Sequence, residues 1–403
     1  MRAALLRFAC LLLTAGSSCS AASAAAPRSY IPGDDSVVLE SLPVRRDPAV
    51  RALRSERALL AASPRDPAIA AAYARRAIEL GRTQSDPRFY GYAAAALSPW
   101  DADAKAPVEI DWLRSVLQQQ RHDFTGAMSA LDALLQRENY PPAHLTRASL
   151  LMVQGRPREA LRDCAALARS NLVTATSCAA SASSLSGRAA AALASVDSII
   201  PRLTGASLDE RLWTLTLAAE LAARLERDDA PQRYDAALAE LDASNSGDAY
   251  LLAAYADYEL DRQRPQPVIA RLRDQQRVDT LLLRLTLAEQ QLQAAGTPQA
   301  DFDAHRRELI SRFDAVRARG ETTHGREETM FVLRIEQDPA RALLLAQSNW
   351  QVQREPVDAR LLLEAALAAR QPAAAAPVLE WMRATTIEDP LLHRLAEQLG
   401  AAS

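Results

Sequence analysis

Helical periodicity is the feature that most constrains this chain. From residue 48 onward, nearly every segment places apolar residues at positions i, i+3, i+4 and i+7, and no segment shows a sustained strand-like alternation. Proline and glycine interrupt the pattern often enough to leave stretches of about 10–20 residues, the usual length of a globular helix. Glycine is scarce, with 13 in 403 residues, which disfavours folds that depend on many glycine turns. The sequence therefore predicts an all-α fold.

One helical unit recurs along the chain. It is clearest in residues 142–167, where its key positions are Ala148, Leu151, Gly155, Ala160, Leu161, Cys164 and Leu167. The same spacing recurs at Ala180, Ser183, Gly187, Ala192, Leu193, Val196 and Ile199, and weaker copies span residues 330–346 and 363–382. Small residues such as Ala148 and Ala160 let two antiparallel helices cross closely. Gly155 can end the first helix in a left-handed conformation at low cost.

This pattern resembles the tetratricopeptide repeat family, in which a small residue, a large apolar residue and a turn are followed by alanine and a bulky residue. The resemblance covers most of the chain after residue 48 and is most specific at residues 142–200. It implies a right-handed α-solenoid of antiparallel helix pairs, a superhelix with a long concave surface. The turn glycine is replaced in several units by His122-Asp123, Arg262, Gln337 and Arg370.

The number of repeats follows from the alanine that recurs on each second helix. This alanine occurs at positions 127, 160, 192, 342 and 375, in steps of 33, 32, 150 and 33 residues. Pro267 halves the long step, so that two enlarged repeats fit on each side of it. We therefore expect a solenoid over residues 48–399, with about nine helix pairs between residues 67 and 384. Terminal capping helices would span residues 48–62 and 388–399.

The N-terminus is typical of an export signal. Arg2 and Arg7 provide positive charge, residues 8–15 are apolar, and residues 22–24 read Ala-Ser-Ala, a small-x-small cleavage pattern. We expect a signal peptide over residues 1–26 and an extended, proline-containing leader or linker over residues 27–47. No later segment reaches the length of about 20 apolar residues that a membrane span needs. The mature chain is therefore expected in the periplasm, without a transmembrane span.

Cys19 raises an alternative to ordinary cleavage. A lipoprotein signal places a small residue just before the lipidated cysteine, as Ser18 does here, but Gly16 stands where leucine is usual. Lipidation is a separate anchoring signal that changes where a protein resides. An outer-membrane lipoprotein tethered through Cys19 is therefore the alternative localisation.

Two cysteines remain in the repeat region. Cys164 falls on the second helix of one unit and Cys178 on the first helix of the next. Consecutive helices of a solenoid face each other, and an oxidising compartment favours pairing. We expect a structural disulfide between them; the alternative is two buried thiols that pack as small apolar residues.

The sequence lacks a catalytic or metal-binding pattern. Its five histidines, at positions 122, 144, 305, 324 and 393, are scattered and look like helix-start, turn or surface residues. Acidic pairs such as Glu327-Glu328 are expected to be solvated, and Tyr255 and Tyr258 occupy helix-core positions. The net charge of −3 indicates no nucleic-acid partner. We expect no enzyme activity, no catalytic residues, no cofactor and no metal.

The expected function follows from the solenoid surface, because such surfaces bind extended peptides or helices of other proteins. We expect a non-enzymatic scaffold or adaptor that binds a peptide or protein of the cell envelope in its groove. Ser149, Met152 and Val153 face that groove by helical phase. The alternatives are a lipoprotein of envelope assembly and a helical accessory domain of a cell-wall enzyme.

Overall fold

The computed structural model describes residue 34 and residues 48–84, 86–101, 103, 105–244, 247–320 and 325–401. The chain divides into two compact units, Met1–Arg46 and Asp47–Ser403, and the helices described below lie in the second. The predicted signal peptide, Cys19 and His324 lie outside the described residues, as does the predicted leader apart from Asp34. Those assignments therefore stay predictions.

The described residues form helices and no strands, which confirms the all-α prediction. The twenty α-helices are α1 (Pro48–Ala62), α2 (Pro67–Gln84), α3 (Arg88–Leu97), α4 (Val108–Gln120), α5 (Phe124–Arg137), α6 (Pro141–Val153), α7 (Pro157–Ala166), α8 (Leu172–Ser184), α9 (Ala189–Ile199), α10 (Leu208–Arg224), α11 (Ala230–Ser244), α12 (Ala249–Asp261), α13 (Pro265–Leu272), α14 (Asp279–Ala294), α15 (Phe302–Ala318), α16 (Gly325–Arg334), α17 (Pro339–Trp350), α18 (Pro356–Ala368), α19 (Ala376–Thr385) and α20 (Pro390–Ala401). Short 3-10 segments occur at Ser98–Trp100, Leu167–Arg169, Ile200–Gly205 and Pro372–Ala375. Many helices begin at proline, whose fixed φ suits the first turn.

Consecutive helices pack against each other from α1 to α15 and again from α16 to α19. Helices α2 to α19 can be grouped as nine successive pairs, α2/α3 through α18/α19. The alanines predicted to recur in the second helices are buried, with exposed fractions of 0–2% at positions 127, 160, 192, 342 and 375. Ala148 of α6, which was expected to meet Ala160 of α7, is also fully buried. Small side chains at these positions allow the close approach of the paired helices.

Most pairs turn through a single residue in the left-handed region. The residues are Gly155, Gly187 and Gly296 in three pairs, and His122, Glu226, Gln263, Gln337 and Arg370 in five others, with φ between 53° and 84°. The prediction of Arg262 as a turn residue is wrong by one position: Arg262 has φ −94°, whereas Gln263 has φ 55°. The sequence pattern locates the turn, but the helix end decides which residue takes the left-handed conformation.

The apolar core follows the pairs. One cluster of buried residues runs from Ala148 to Leu399, and two smaller ones cover residues 50–117 and 124–150. Helix α14 is buried on all sides, because every residue from Leu281 to Glu289 is buried. None of the described helices is long and apolar enough to cross a membrane.

The C-terminal helices contact turns that are far earlier in the sequence. We call these contacts, between residues 352–394 and the turns of the pairs α6/α7, α8/α9, α10/α11 and α12/α13, the C-terminal closure. Its polar contacts are Arg354 N to Val153 O (2.8 Å), Ala190 N to Glu388 Oε2 (3.0 Å), Arg394 to Glu226 (2.6 Å) and Arg360 to Asp261 (2.6 Å). A solenoid in which each repeat contacts only its neighbours has no such contacts.

Gly187 shows how tightly this closure fits. Its φ is +74°, and a Cβ atom placed on it would lie 2.3 Å from the Thr386 side-chain oxygen. Only glycine satisfies both the left-handed backbone and the close approach of the C-terminal segment.

Candidate binding surface on the inner helices

The first helices of five consecutive pairs carry most of the buried charge. We call α10, α12, α14, α16 and α18 the inner helices, because α14 is buried on all sides and α12 meets α18 through the C-terminal closure. Several charged side chains on these helices pair with one another across the helix contacts. We call the following residues the inner cluster: Glu220, Tyr250, Asp257, Arg284, Arg326, Glu355 and Asp358.

Glu220 and Tyr250 join α10 to α12. The Tyr250 hydroxyl donates a hydrogen bond to Glu220 Oε1 at 2.9 Å, while the tyrosine remains 64% exposed. Burial raises the pKa of the Glu220 carboxyl to about 7, and the carboxylates of Glu355 and Asp257 act in the same direction. Glu220 in turn raises the pKa of the Tyr250 hydroxyl well above its usual value. The carboxyl group of Glu220 therefore changes charge near neutral pH.

Asp257 and Arg284 join α12 to α14. Arg284 Nε and Nη2 donate to the two Asp257 oxygens at 3.0 and 2.7 Å, and the Arg284 side chain is only 5% exposed. Burial opposes the charge of Arg284, but the Asp257 carboxylate more than offsets it and raises the arginine pKa. A further bond to Thr280 Oγ1, at 2.6 Å, fixes the guanidinium. Arg284 therefore stays charged inside the fold.

Arg326 joins α16 to α18. Its guanidinium donates to both Asp358 oxygens at 2.7 Å and to Glu355 Oε2 at 2.6 Å. Asp358 is buried and also accepts hydrogen bonds from the Asn349 side chain (2.8 Å) and the Glu355 backbone (3.0 Å). Glu355 and Asp358 form a capping box at the start of α18. These bonds hold Glu355 in place near Glu220 and Tyr250, whose pKa values it influences.

A polar cavity lies farther along the inner helices. We call it the inner pocket; its volume is about 260 Å³, and its polar walls come from Asp261, Gln263, Gln291, Arg334, Arg360 and Glu364, with leucines of α12 and α14 beside them. Arg360 donates to both Asp261 oxygens at 2.6 and 2.7 Å and to Glu364 at 2.6 Å. Arg334 Nη2 donates to Glu364 at 2.9 Å. The charges of this pocket therefore neutralise one another.

The predicted groove residues lie together at the end of α6. Ser149 is half-buried and donates its hydroxyl to Leu145 O at 3.1 Å. Met152 is 9% exposed. The Val153 carbonyl accepts the Arg354 backbone N–H at 2.8 Å, so the chain itself contacts this end of α6. That these three residues bind a partner stays a prediction.

Cys164 and Cys178 meet as the sequence predicts. Their sulfur atoms are at disulfide-bonding distance and their Cα atoms are 5.4 Å apart, within the range of protein disulfides. Both residues are fully buried. The pair links α7 to α8, which belong to successive helix pairs.

Two predictions about surface residues are wrong. His305 was expected at a turn or the surface, but it is 9% exposed and its Nδ1 lies 3.0 Å from Glu289 Oε2. Glu328 was expected to be solvated, but it is 6% exposed and pairs with Arg317 and Arg341. Polar partners on adjacent helices, Glu289 for His305 and two arginines for Glu328, allow both residues to be buried.

His144 has a partner at each ring nitrogen. His144 bonds Asp163 through Nδ1 at 2.6 Å and Asn139 through Nε2 at 2.8 Å, so both ring nitrogens are occupied. Within the described part of the chain, no group of three or more histidine, cysteine, aspartate or glutamate residues is placed to hold a metal ion.

The sequence interpretation missed the inner cluster. Its members are spread over about 140 residues, and single charged residues give no motif. One local signal was present: Arg284 interrupts the apolar run from Leu281 to Ala288, and a charge in such a run is rarely buried without a partner. No protein-family model matches the sequence, and no curated protein matches it at a significant level.

Proposed function

We propose that the mature chain is an exported, non-enzymatic scaffold of the periplasm that binds a protein or peptide partner on its inner helices. The finer architecture belongs to the same proposal: a right-handed superhelix of the tetratricopeptide type whose concave groove the inner helices line. The observation that carries it is Tyr250, which is 64% exposed within an otherwise paired cluster of charges. A rigid aromatic side chain with a polar tip is a frequent anchor of protein interfaces.

The charges of the inner cluster favour a basic partner. Glu220, Asp257, Glu355 and Asp358 outnumber the arginines at positions 284 and 326, and they still exceed the basic groups by one when Arg224, whose charge also acts on Glu220, is included. The hydrogen bonds that the structure records for the Glu220 carboxylate come from the Tyr250 hydroxyl alone. A lysine or arginine side chain beside Glu220 would therefore lower its pKa and gain a charge partner, with the Tyr250 ring next to it as a cation–π surface.

The cysteine pair supports the exported location. A buried pair at bonding distance is characteristic of proteins that fold in an oxidising compartment. The short apolar segment at residues 8–15 supports the same location from the sequence.

Affinity capture from an envelope extract tests this function. The mature wild-type chain is expected to retain a specific protein, and the variant Tyr250→Ala is expected to lose most of it. The matched control is Tyr92→Ala, because Tyr92 is another exposed tyrosine, 47% exposed, on α3. Equal capture by both variants would contradict a binding surface at Tyr250, and capture of nothing by the wild type would contradict the scaffold function.

Two further measurements address the alternatives. Membrane pelleting that is lost in Cys19→Ala would indicate a lipoprotein tether. Turnover of peptidoglycan fragments by the purified chain would indicate an enzyme instead of a scaffold.

A further inference from the structure

A groove with mainly apolar walls runs along α8, between α7 and α9. We call it the alanine groove; its volume is about 390 Å³, within the usual range of ligand pockets, about 300–1,000 Å³. Helix α8 packs against both α7 and α9, and alanines of all three helices line the groove. Ala165, Ala168 and Ala191 among the lining residues are exposed. A ligand can therefore enter the groove directly from solvent.

The groove is long, and one of its walls is fixed. The part of α8 that lines it runs from Leu172 to Ser183, about 16 Å of helix. The Cys164–Cys178 pair joins α7 to α8, and Cys164 itself lies in the lining. A wall that is held in place does not have to be ordered when a ligand binds. The groove therefore suits a linear group better than a compact one.

The charge of the groove is at one end. Among the described residues that line it, only Arg188 is charged; it is exposed, and its guanidinium has no ion pair or hydrogen bond within the described part of the chain. Glu388, which accepts from the Ala190 N–H, is not within ion-pair distance of it. Arg188 follows the end of α8 and directly precedes α9, so it lies at the opposite end of the groove from Leu172. The groove thus has a cationic end and an apolar body, the polarity that complements an anionic amphiphile.

An aliphatic chain fits the body of the groove better than an extended peptide does. Apart from the hydroxyls of Thr176, Ser183 and Ser195, the lining between its two ends has no polar side chain. The Ser195 hydroxyl already donates to Ala191 O at 2.9 Å. Peptide N–H and C=O groups buried there would lack hydrogen-bond partners, which is costly, whereas methylene groups gain free energy by leaving water.

We propose that the alanine groove binds a fatty acid of medium chain length, with its carboxylate on the Arg188 guanidinium and its chain along α8 towards Leu172. A guanidinium donates two parallel N–H groups to a carboxylate. The chain covers Leu172, which is 47% exposed, and removes its apolar surface from water. The site involves none of the inner helices, so this inference goes beyond the proposed function and does not depend on it.

Isothermal titration calorimetry on the mature full-length chain tests the site, with each probe below its micelle-forming concentration. The probes are decanoate, decyltrimethylammonium, which has the same chain and the opposite charge, and hexanoate, which keeps the head group on a shorter chain. We expect decanoate to bind more tightly than both of the others. Each methylene group that is buried contributes about fourfold to the affinity, so hexanoate should bind far more weakly.

Two variants locate the chain and the head group. Ala191→Phe places a large side chain in the groove at an exposed position and should abolish decanoate binding. Its matched control is Ala194→Phe, exposed on the same helix but outside the lining, which should bind like the wild type. Arg188→Gln should lower the decanoate affinity about fivefold, the worth of one exposed ion pair, without weakening decyltrimethylammonium. Arg202→Gln, which removes an exposed charge outside the groove, should change neither affinity.

Each outcome decides the inference. Absent binding of decanoate to the wild type, or equal affinity for decanoate and decyltrimethylammonium, would overturn it. Decanoate binding that survives Ala191→Phe, or that is lost equally in Ala194→Phe, would place the ligand elsewhere and also overturn it. The comparison of probes on the wild type needs no variant, so a misfolded variant does not remove the test. Failure here leaves the capture experiment at Tyr250 to decide the proposed function separately.

Discussion

A residue other than glycine in a left-handed turn lowers the stability of the fold, and substitution by glycine can remove this conformational free-energy cost. Arg370 has φ 54°, is exposed, and adopts a conformation that costs an L-residue other than glycine about 1 kcal/mol. We predict that Arg370→Gly raises the free energy of unfolding by about 0.5–1 kcal/mol, measured by urea denaturation. Arg370→Ala keeps the backbone cost and should give no increase. A loss of stability in Arg370→Gly would contradict the assigned turn.

The titration of Glu220 makes stability depend on pH. The Glu220 pKa is about 7 in the folded chain against an ordinary 4.5, so the folded state holds the proton more tightly than the unfolded state. The free energy of unfolding therefore falls as the pH rises from about 4.5 through 7, by roughly 1 kcal/mol or more from this group. We predict that Glu220→Gln melts at a higher temperature than the wild type at pH 8, and that the difference closes at pH 5.

A matched control isolates this effect. Glu397→Gln changes an exposed carboxylate on α20 and should follow the wild-type pH profile. If Glu220→Gln shows the wild-type profile as well, the raised pKa of Glu220 is contradicted.

At the scale of helices, the cysteine pair ties α7 to α8. Closing a loop of about 15 residues stabilises by roughly 3 kcal/mol in the chain-entropy model. We predict no free thiols in the denatured mature chain, and a melting temperature that falls when a reductant is added. The double variant Cys164→Ala/Cys178→Ala should not respond to the reductant. Two titratable thiols in the mature chain would contradict the pairing.

The local sequence pattern predicted the helices well. It did not predict the contacts between helices that are distant in the sequence. The capping helix expected at residues 48–62 coincides with α1 (Pro48–Ala62), because apolar spacing and flanking prolines are local signals. The closeness of Cys164 and Cys178 followed from adjacent helices for the same reason. Arg360 and Asp261, however, meet over a sequence separation of 99 residues. Neither α12 nor α18 carries a sequence signal that identifies the other helix as its partner, so helical periodicity could not reveal the inner pocket.

At the scale of the whole described unit, the C-terminal closure should protect backbone that is distant in sequence. The Ala190 N–H, in the first turn of α9, donates to Glu388 Oε2 at 3.0 Å over a separation of 198 residues. We predict that Glu388→Ala accelerates hydrogen exchange at Ala190 about fivefold, because the lost bond is worth about 1 kcal/mol. The Ala192 N–H, bonded to the carbonyl of Arg188 at the N-cap of α9, should be unaffected, as should both amides in Glu397→Ala. Unchanged exchange at Ala190 would show that the closure does not persist in solution.

The C-terminal closure also affects when the chain can fold during its synthesis. The helix pairs α6/α7 and α8/α9 have contacts with residues that a ribosome adds about 200 positions later. Contacts of such long range slow folding and leave earlier segments incomplete until the end of synthesis. A nascent chain that has not yet received its last helices should therefore remain loosely structured, the state in which a polypeptide can still be threaded through a secretion channel.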